Sequence, residues 1–109
     1  MNIQHQALAQ GGWQELSLAE QLGNIGGEIS RALKWRDRDE NLYQSAIKRA
    51  FELIDLTLED PRLRGRLKEI ARLREFLADA ILDGGAYGSK LEDIDRYLFQ
   101  FALAARKTH

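Results

Sequence analysis

The feature that most constrains this chain is the run at residues 61–83, PRLRGRLKEIARLREFLADAILD. In it Leu63, Leu67, Ile70, Leu73, Leu77, Ala80 and Ile81 recur at helical spacing. A stripe of that period is one face of an amphipathic helix and needs other apolar faces to cover it. Both ends are punctuated. Asp60 is placed to act as N-cap and Pro61 as a first-turn residue, while Gly84-Gly85 marks the stop.

The same run carries Arg62, Arg64, Arg66, Lys68, Arg72 and Arg74 against Glu69, Glu75, Asp79 and Asp83. On a helical wheel Arg64, Lys68, Arg72 and Glu75 fall away from Leu67 and Ile70. They are expected to pair along the helix as a solvated face. Arg66 and Arg74 fall at the margins of the apolar stripe, where a guanidinium needs a partner. The expectation is a buried ion-pair network with Glu28, Asp55 or Glu69, or with a symmetry-related subunit. The alternative partner is a phosphate held by the bidentate fork.

Three further segments read as helices. Ser17-Leu18-Ala19-Glu20 fits a capping box, and Leu18, Leu22, Ile25, Ile29 and Leu33 continue as one stripe to about Arg36. Gly23, Gly26 and Gly27 sit inside that helix at a cost of roughly 1 kcal/mol each. They imply close approach by a neighbouring helix, a kink or a ligand. A second helix over about 39–58 turns Leu42, Ala46, Ala50, Leu53 and Thr57 inward, with Tyr43, Ile47, Ile54 and Leu58 along the other edge. The last helix is expected to open at Ser89, where Ser89-Lys90-Leu91-Glu92 repeats the box, and to bury Leu91, Ile94, Leu98, Phe101, Ala102 and Ala105. No strand-period alternation competes. Short connections favour antiparallel neighbours, so the expected architecture is all-α, a four-helix up-down antiparallel bundle over residues 13–109 behind a short N-terminal arm, residues 1–12. Trp13 is expected to be buried ahead of the first helix.

Composition narrows the function classes. With 16 Lys and Arg against 17 Asp and Glu, the net charge is -1, unlike a general nucleic-acid or anionic-membrane binder. The absence of cysteine removes disulfides, thiol catalysis and Cys-ligated metals. No apolar run approaches a membrane span and no secretory signal is seen, so a cytoplasmic protein is expected. The only histidines, His5 and His109, fall in the tails. There is no Glu-x-x-His for a di-iron site and no placed base for a nucleophile. A carboxylate-only magnesium site from Glu28, Glu69 and Asp79 is the one remaining metal arrangement. The expectation is therefore no enzyme, no cofactor and no metal.

Two surfaces stand out. Asn24, Glu28, Arg31 and Trp35 form a strip on the polar side of the first helix, and Trp and Arg are the residues enriched at interface hot spots. Phe99 and Leu103, one turn apart, point away from Leu98 and Phe101 and form an apolar patch. The candidate binding residues are accordingly Asn24, Glu28, Arg31, Trp35, Arg66, Glu69 and Arg74. The expected role is a non-enzymatic interaction module, a homo-oligomer or the partner of another helical protein. A nucleic-acid or nucleotide accessory role through the Arg-rich stretch near residues 62–74 ranks second.

The segments Asn24-Ile25-Gly26-Gly27-Glu28, Arg31-Ala32-Leu33-Lys34-Trp35, the stretch at 49–57, Asp60-Pro61-Arg62 and the stretch at 66–75 together resemble a small family of prokaryotic all-helical proteins of about this length. That resemblance implies a helical fold and no particular activity. The four-helix outline also resembles, distantly, the HEPN group of nucleotide-associated and RNA-cleaving domains. Those carry Arg, four to six residues, then His on a late helix. Here Arg106 precedes His109 by only three positions, which argues against RNA cleavage.

Overall fold

A computed structural model describes residues 12–107. The bulk of the N-terminal arm, and His5 and His109 with it, lie outside the described residues. Four α-helices make up the fold: α1 Leu18–Trp35, α2 Glu40–Leu58, α3 Leu67–Ile81 and α4 Leu91–Lys107. Short 3-10 segments, Trp13–Glu15 and Pro61–Arg66, precede α1 and α3. No strand occurs among the described residues, and no helix among them is long and apolar enough to cross a membrane.

The first two helices start where local chemistry directs. Ser17 Oγ accepts from the Glu20 amide at 3.1 Å, and the Glu20 carboxylate accepts in return from the Ser17 amide at 3.0 Å. Asp39 caps α2 by accepting from the Leu42 amide at 3.1 Å. Each arrangement satisfies amides that the first helical turn leaves without partners.

α1 is the hub of the bundle. Its packing against α4 and α2 is far more extensive than that of α3 against either of its neighbours. Leu22, Ile25, Ile29 and Ala32 of α1 meet Ala46, Ala50 and Ile54 of α2 and Leu98 of α4 in one continuous core. The glycines of α1 divide by role. A Cβ on Gly23 would lie 3.1 Å from the Ala102 Cα, and one on Gly26 would lie 3.0 Å from the Leu98 Cβ. Both exist to let α4 approach, as the packing of small residues between helices requires. Gly27 faces open space.

Four expectations need correction. The run at 61–83 is not one helix: Pro61–Arg66 is 3-10, Leu63 leaves helical geometry at φ −103° and ψ 19°, and α3 proper begins at Leu67. Gly65 lies at that break, and the buried Asp60 side chain holds the Arg62 amide at 2.9 Å. A glycine in the interior and a tightly held first turn both favour interruption there. Ser89 does not cap the last helix. Its amide donates to Asp79 at 3.0 Å, Glu92 pairs with Arg36 at 3.0 Å, and α4 starts two residues later, at Leu91. Leu42 and Ile81, placed in the core by periodicity, sit at helix ends and are exposed. Arg66 and Arg74 are not buried. Their side chains are 48% and 45% exposed, paired with Glu69 at 3.1 Å and Asp55 at 2.8 Å, while Glu28 pairs with Arg31 on its own helix.

The buried polar cluster lies elsewhere. Trp13 is 1% exposed and donates its indole N–H to Thr57 Oγ1 at 3.0 Å. Gln21, fully buried, donates to the Trp13 carbonyl at 2.9 Å and to Asp60 at 3.2 Å. Asp60, 2% exposed, accepts from Arg62, whose guanidinium also reaches the Leu16 carbonyl at 2.7 Å. The Arg62 guanidinium is the chief reason the Asp60 carboxyl is held down at about 2, with its amide and Gln21 assisting against the opposing effect of burial. This cluster fastens the segment before α1 to the α2–α3 corner.

A candidate partner groove between α3 and α4

Because α3 packs loosely on its neighbours, a groove of about 780 Å³ opens between it and α4. Leu73 and Phe76 of α3 and Ile94 of α4 line its floor, and Tyr87 and Tyr97 wall it. Lys68, Glu69, Arg72, Lys90 and Asp93 stand at the rim. The volume lies within the range of ordinary ligand pockets, and the lining is chiefly apolar with charge at the margin.

One carboxylate shapes the closed end. Asp79 is 7% exposed and accepts from the amides of Ala86 at 2.8 Å, Tyr87 at 3.1 Å and Ser89 at 3.0 Å. Burial pushes its carboxyl upward, but these amides outweigh it and leave the group below the usual range. The chain reverses just before this anchor, with Asp83 at φ 66° and Gly84 at φ 72°. A Cβ on Gly84 would stand 2.9 Å from the Ser89 carbonyl oxygen, so glycine is required there on both counts. Held in this way, Tyr87 stacks edge-on against Phe76 at 5.5 Å and extends the aromatic wall while 60% exposed.

The opposite wall is set by Tyr97. Its ring meets Phe101 edge-on at 5.4 Å, and its hydroxyl donates to Glu69 at 2.8 Å, tying α4 to α3. Burial, then the bond to Glu69, pushes the phenol up to about 12. The Tyr97 hydroxyl, with Arg66 beside it, holds Glu69 below the usual carboxylate range.

Charge at the rim is uneven. Glu69 is engaged by Tyr97 and Arg66, and Asp93 by Arg96 at 2.9 Å. The side chains of Lys68, Arg72 and Lys90 form no hydrogen bond or ion pair among the described residues, and the nearby Glu92 felt by Lys90 is itself paired with Arg36. The expected pairing of Arg64, Lys68, Arg72 and Glu75 along the helix is therefore not formed. Of the other basic residues of the run, Arg62, Arg66 and Arg74 are each committed to a carboxylate, while Arg64 forms no ion pair among the described residues.

Of the seven candidate residues named from sequence, only Glu69 lines this groove. Asn24 donates to the Glu20 carbonyl at 2.9 Å, Glu28 and Arg31 pair at 3.4 Å, and half-buried Trp35 lies under the Lys34 ammonium at 5.0 Å. That strip satisfies itself along α1. Asn24 also borders a shallow dimple of about 220 Å³ with Gly23 and Ala102. Arg66 and Arg74 are exposed ion pairs, and Arg74 covers the Phe51 ring at 5.1 Å. No cluster of three or more His, Cys, Asp or Glu placed to hold a metal ion occurs among the described residues. Glu28, Glu69 and Asp79 are each engaged by different groups. Phe99 and Leu103 are exposed, as their wheel positions predict.

Comparison of the chain with protein-family models, with curated proteins and with solved structures found no match.

Proposed function

We propose that the protein is a non-enzymatic helical-bundle interaction module that works in the cytoplasm and receives a partner in the groove between α3 and α4. The observation that carries this reading is the groove itself. Its floor is the edge of the core, with Leu73 and Ile94 buried and Phe76 half-buried, between walls fixed by Asp79 and by the Tyr97–Glu69 bond. The aromatic walls Tyr87 and Tyr97 are 60% and 38% exposed, and exposed apolar groups flanking a groove mark interaction sites. Titration of the labelled protein with a panel of amphipathic peptides, followed by amide chemical shifts, tests it. Shifts concentrated at Leu73, Phe76, Tyr87 and Ile94 are expected. A panel that moves none of them contradicts the reading.

Self-association is the second reading, favoured by Phe99 and Leu103, which are 57% and 40% exposed one helical turn apart on α4. Sedimentation at rising concentration should then give a mass above the 12.5 kDa monomer. Phe99→Glu should restore the monomer, and a wild-type chain that stays monomeric at every concentration refutes it.

A further inference from the structure

The chemistry of the partner follows from the rim of the same groove. We propose that the groove receives an acidic amphipathic helix of another protein, its apolar stripe on Leu73, Phe76 and Ile94 and its carboxylates on Lys68, Arg72 and Lys90. This rests on the interaction reading above and adds the sign of the partner's charge.

Three observations converge. The two carboxylates at the rim are neutralised from within, Glu69 by Arg66 and Tyr97, Asp93 by Arg96. The three cations at the rim have no ion-pair partner among the described residues. A chain of net charge -1 thus presents a locally positive border around an apolar floor. Lys68 and Arg72 are one helical turn apart on α3, and Lys90 faces them from the start of α4. A partner with acidic residues flanking its apolar stripe places a carboxylate opposite each.

The groove runs between two helices, and no sheet edge exists among the described residues for an extended peptide to join. Helix-in-groove docking is the mode that fits, read by the partner as anchors at i, i+3 or i+4, and i+7. Nucleic acid fits less well. Its backbone needs a long run of cations, and with Arg62, Arg66 and Arg74 bound to carboxylates the stretch at 62–74 keeps only Arg64, Lys68 and Arg72 for it.

The test uses two synthetic peptides sharing one leucine stripe at helical spacing, flanked in one by glutamates and in the other by lysines. Their affinities are measured by fluorescence anisotropy at low and physiological salt. Three surface ion pairs of ordinary strength correspond to about tenfold. The acidic peptide should bind about tenfold tighter at low salt, the gap should narrow as salt rises, and Lys68→Glu with Arg72→Glu should reverse the preference. Lys90→Glu alone should cut the gap severalfold. Circular dichroism checks that these surface variants stay folded. Equal affinities, or preference for the lysine peptide, overturn the acidic-partner proposal and leave the interaction reading standing. Failure of both peptides to bind overturns both. A single-stranded oligonucleotide that binds more tightly than the acidic peptide and is lost on Lys68→Glu/Arg72→Glu overturns the proposal in favour of nucleic acid.

Discussion

Asp60→Ala should be among the most damaging single substitutions of a polar residue in this protein. Asp60 is 2% exposed and accepts from the Arg62 guanidinium at 2.6 Å, from the Arg62 amide at 2.9 Å and from Gln21 at 3.2 Å. Loss of the cap costs about 1 kcal/mol. Loss of a charge-assisted bond costs about 1.5–3 kcal/mol, nearer the low end here because Arg62, half exposed, regains water. Gln21 keeps the Trp13 carbonyl as an acceptor. The sum is about 2–3 kcal/mol, and at about 4–8 °C per kcal/mol for a domain of this size the melting temperature should fall by about 10–20 °C. Asp60→Asn, which keeps an acceptor for the amide, should fall roughly halfway. The pH dependence has a definite sign. A carboxyl held at about 2 when folded lies below its unfolded value of about 3.9, so its contribution is present above the unfolded value and is lost as pH falls towards 2. Discounted for screening at Arg62, that is about 1–2 kcal/mol. Denaturant melts of wild type and Asp60→Asn at stepped pH isolate it, because other carboxyls titrate in both. The curves should converge between about pH 5 and pH 2. An Asp60→Ala variant within about 0.5 kcal/mol of wild type, or a wild-type advantage that does not change with pH, refutes the reasoning.

Other perturbations follow from the same geometry. Gly27→Ala, where a Cβ meets nothing within 4 Å, should stabilise by about 0.5–1 kcal/mol in a thermal melt, whereas Gly23→Ala, whose Cβ would stand 3.1 Å from the Ala102 backbone, should give no gain or a loss. Asp79→Ala should speed hydrogen exchange at the amides of Ala86, Tyr87 and Ser89 by tenfold or more, about the worth of one buried bond each, while α1 and α2 amides keep their protection. Tyr97→Phe removes the tie to Glu69 and should lower stability by about 1 kcal/mol, read by denaturant titration, with the aromatic contact to Phe101 retained.

What was legible in the sequence was what depends on near neighbours along the chain. Ser17 with Glu20 announces the start of α1, and Asp60 with Pro61 that of the 3-10 turn ahead of α3, through contacts two or three residues long. The stripes of α1, α2 and α4 found the core because each period is satisfied by one face. Gly23 and Gly26 implied a close neighbour, a kink or a ligand, and the structure makes it α4 as a close neighbour, whereas Gly27 faces open space. The wheel drawn over 61–83 misled because it assumed continuity through Gly65, and the break puts Arg62, Arg64 and Arg66 outside α3. Arg66 and Arg74 look buried on the wheel because marginal positions do not show how far α3 stands off its neighbours, and that looseness also opens the groove. Asp79 was missed for a different reason. A carboxylate beside Leu77 and Ala80, just ahead of a glycine-rich loop, is a signal for an acceptor of loop amides, but the amides it serves lie 7 to 10 residues on. Gln21 and Thr57 are comparable: two polar positions on apolar faces, joined across the fold through Trp13 and Asp60.

The most direct test of the central claim is an intermolecular nuclear Overhauser experiment on the complex with the glutamate-flanked leucine peptide. Contacts from the peptide's leucine methyls to Leu73, Phe76 and Ile94 are the predicted result. Contacts confined to the Phe99 and Leu103 face, or to the strip from Asn24 to Trp35, would contradict it.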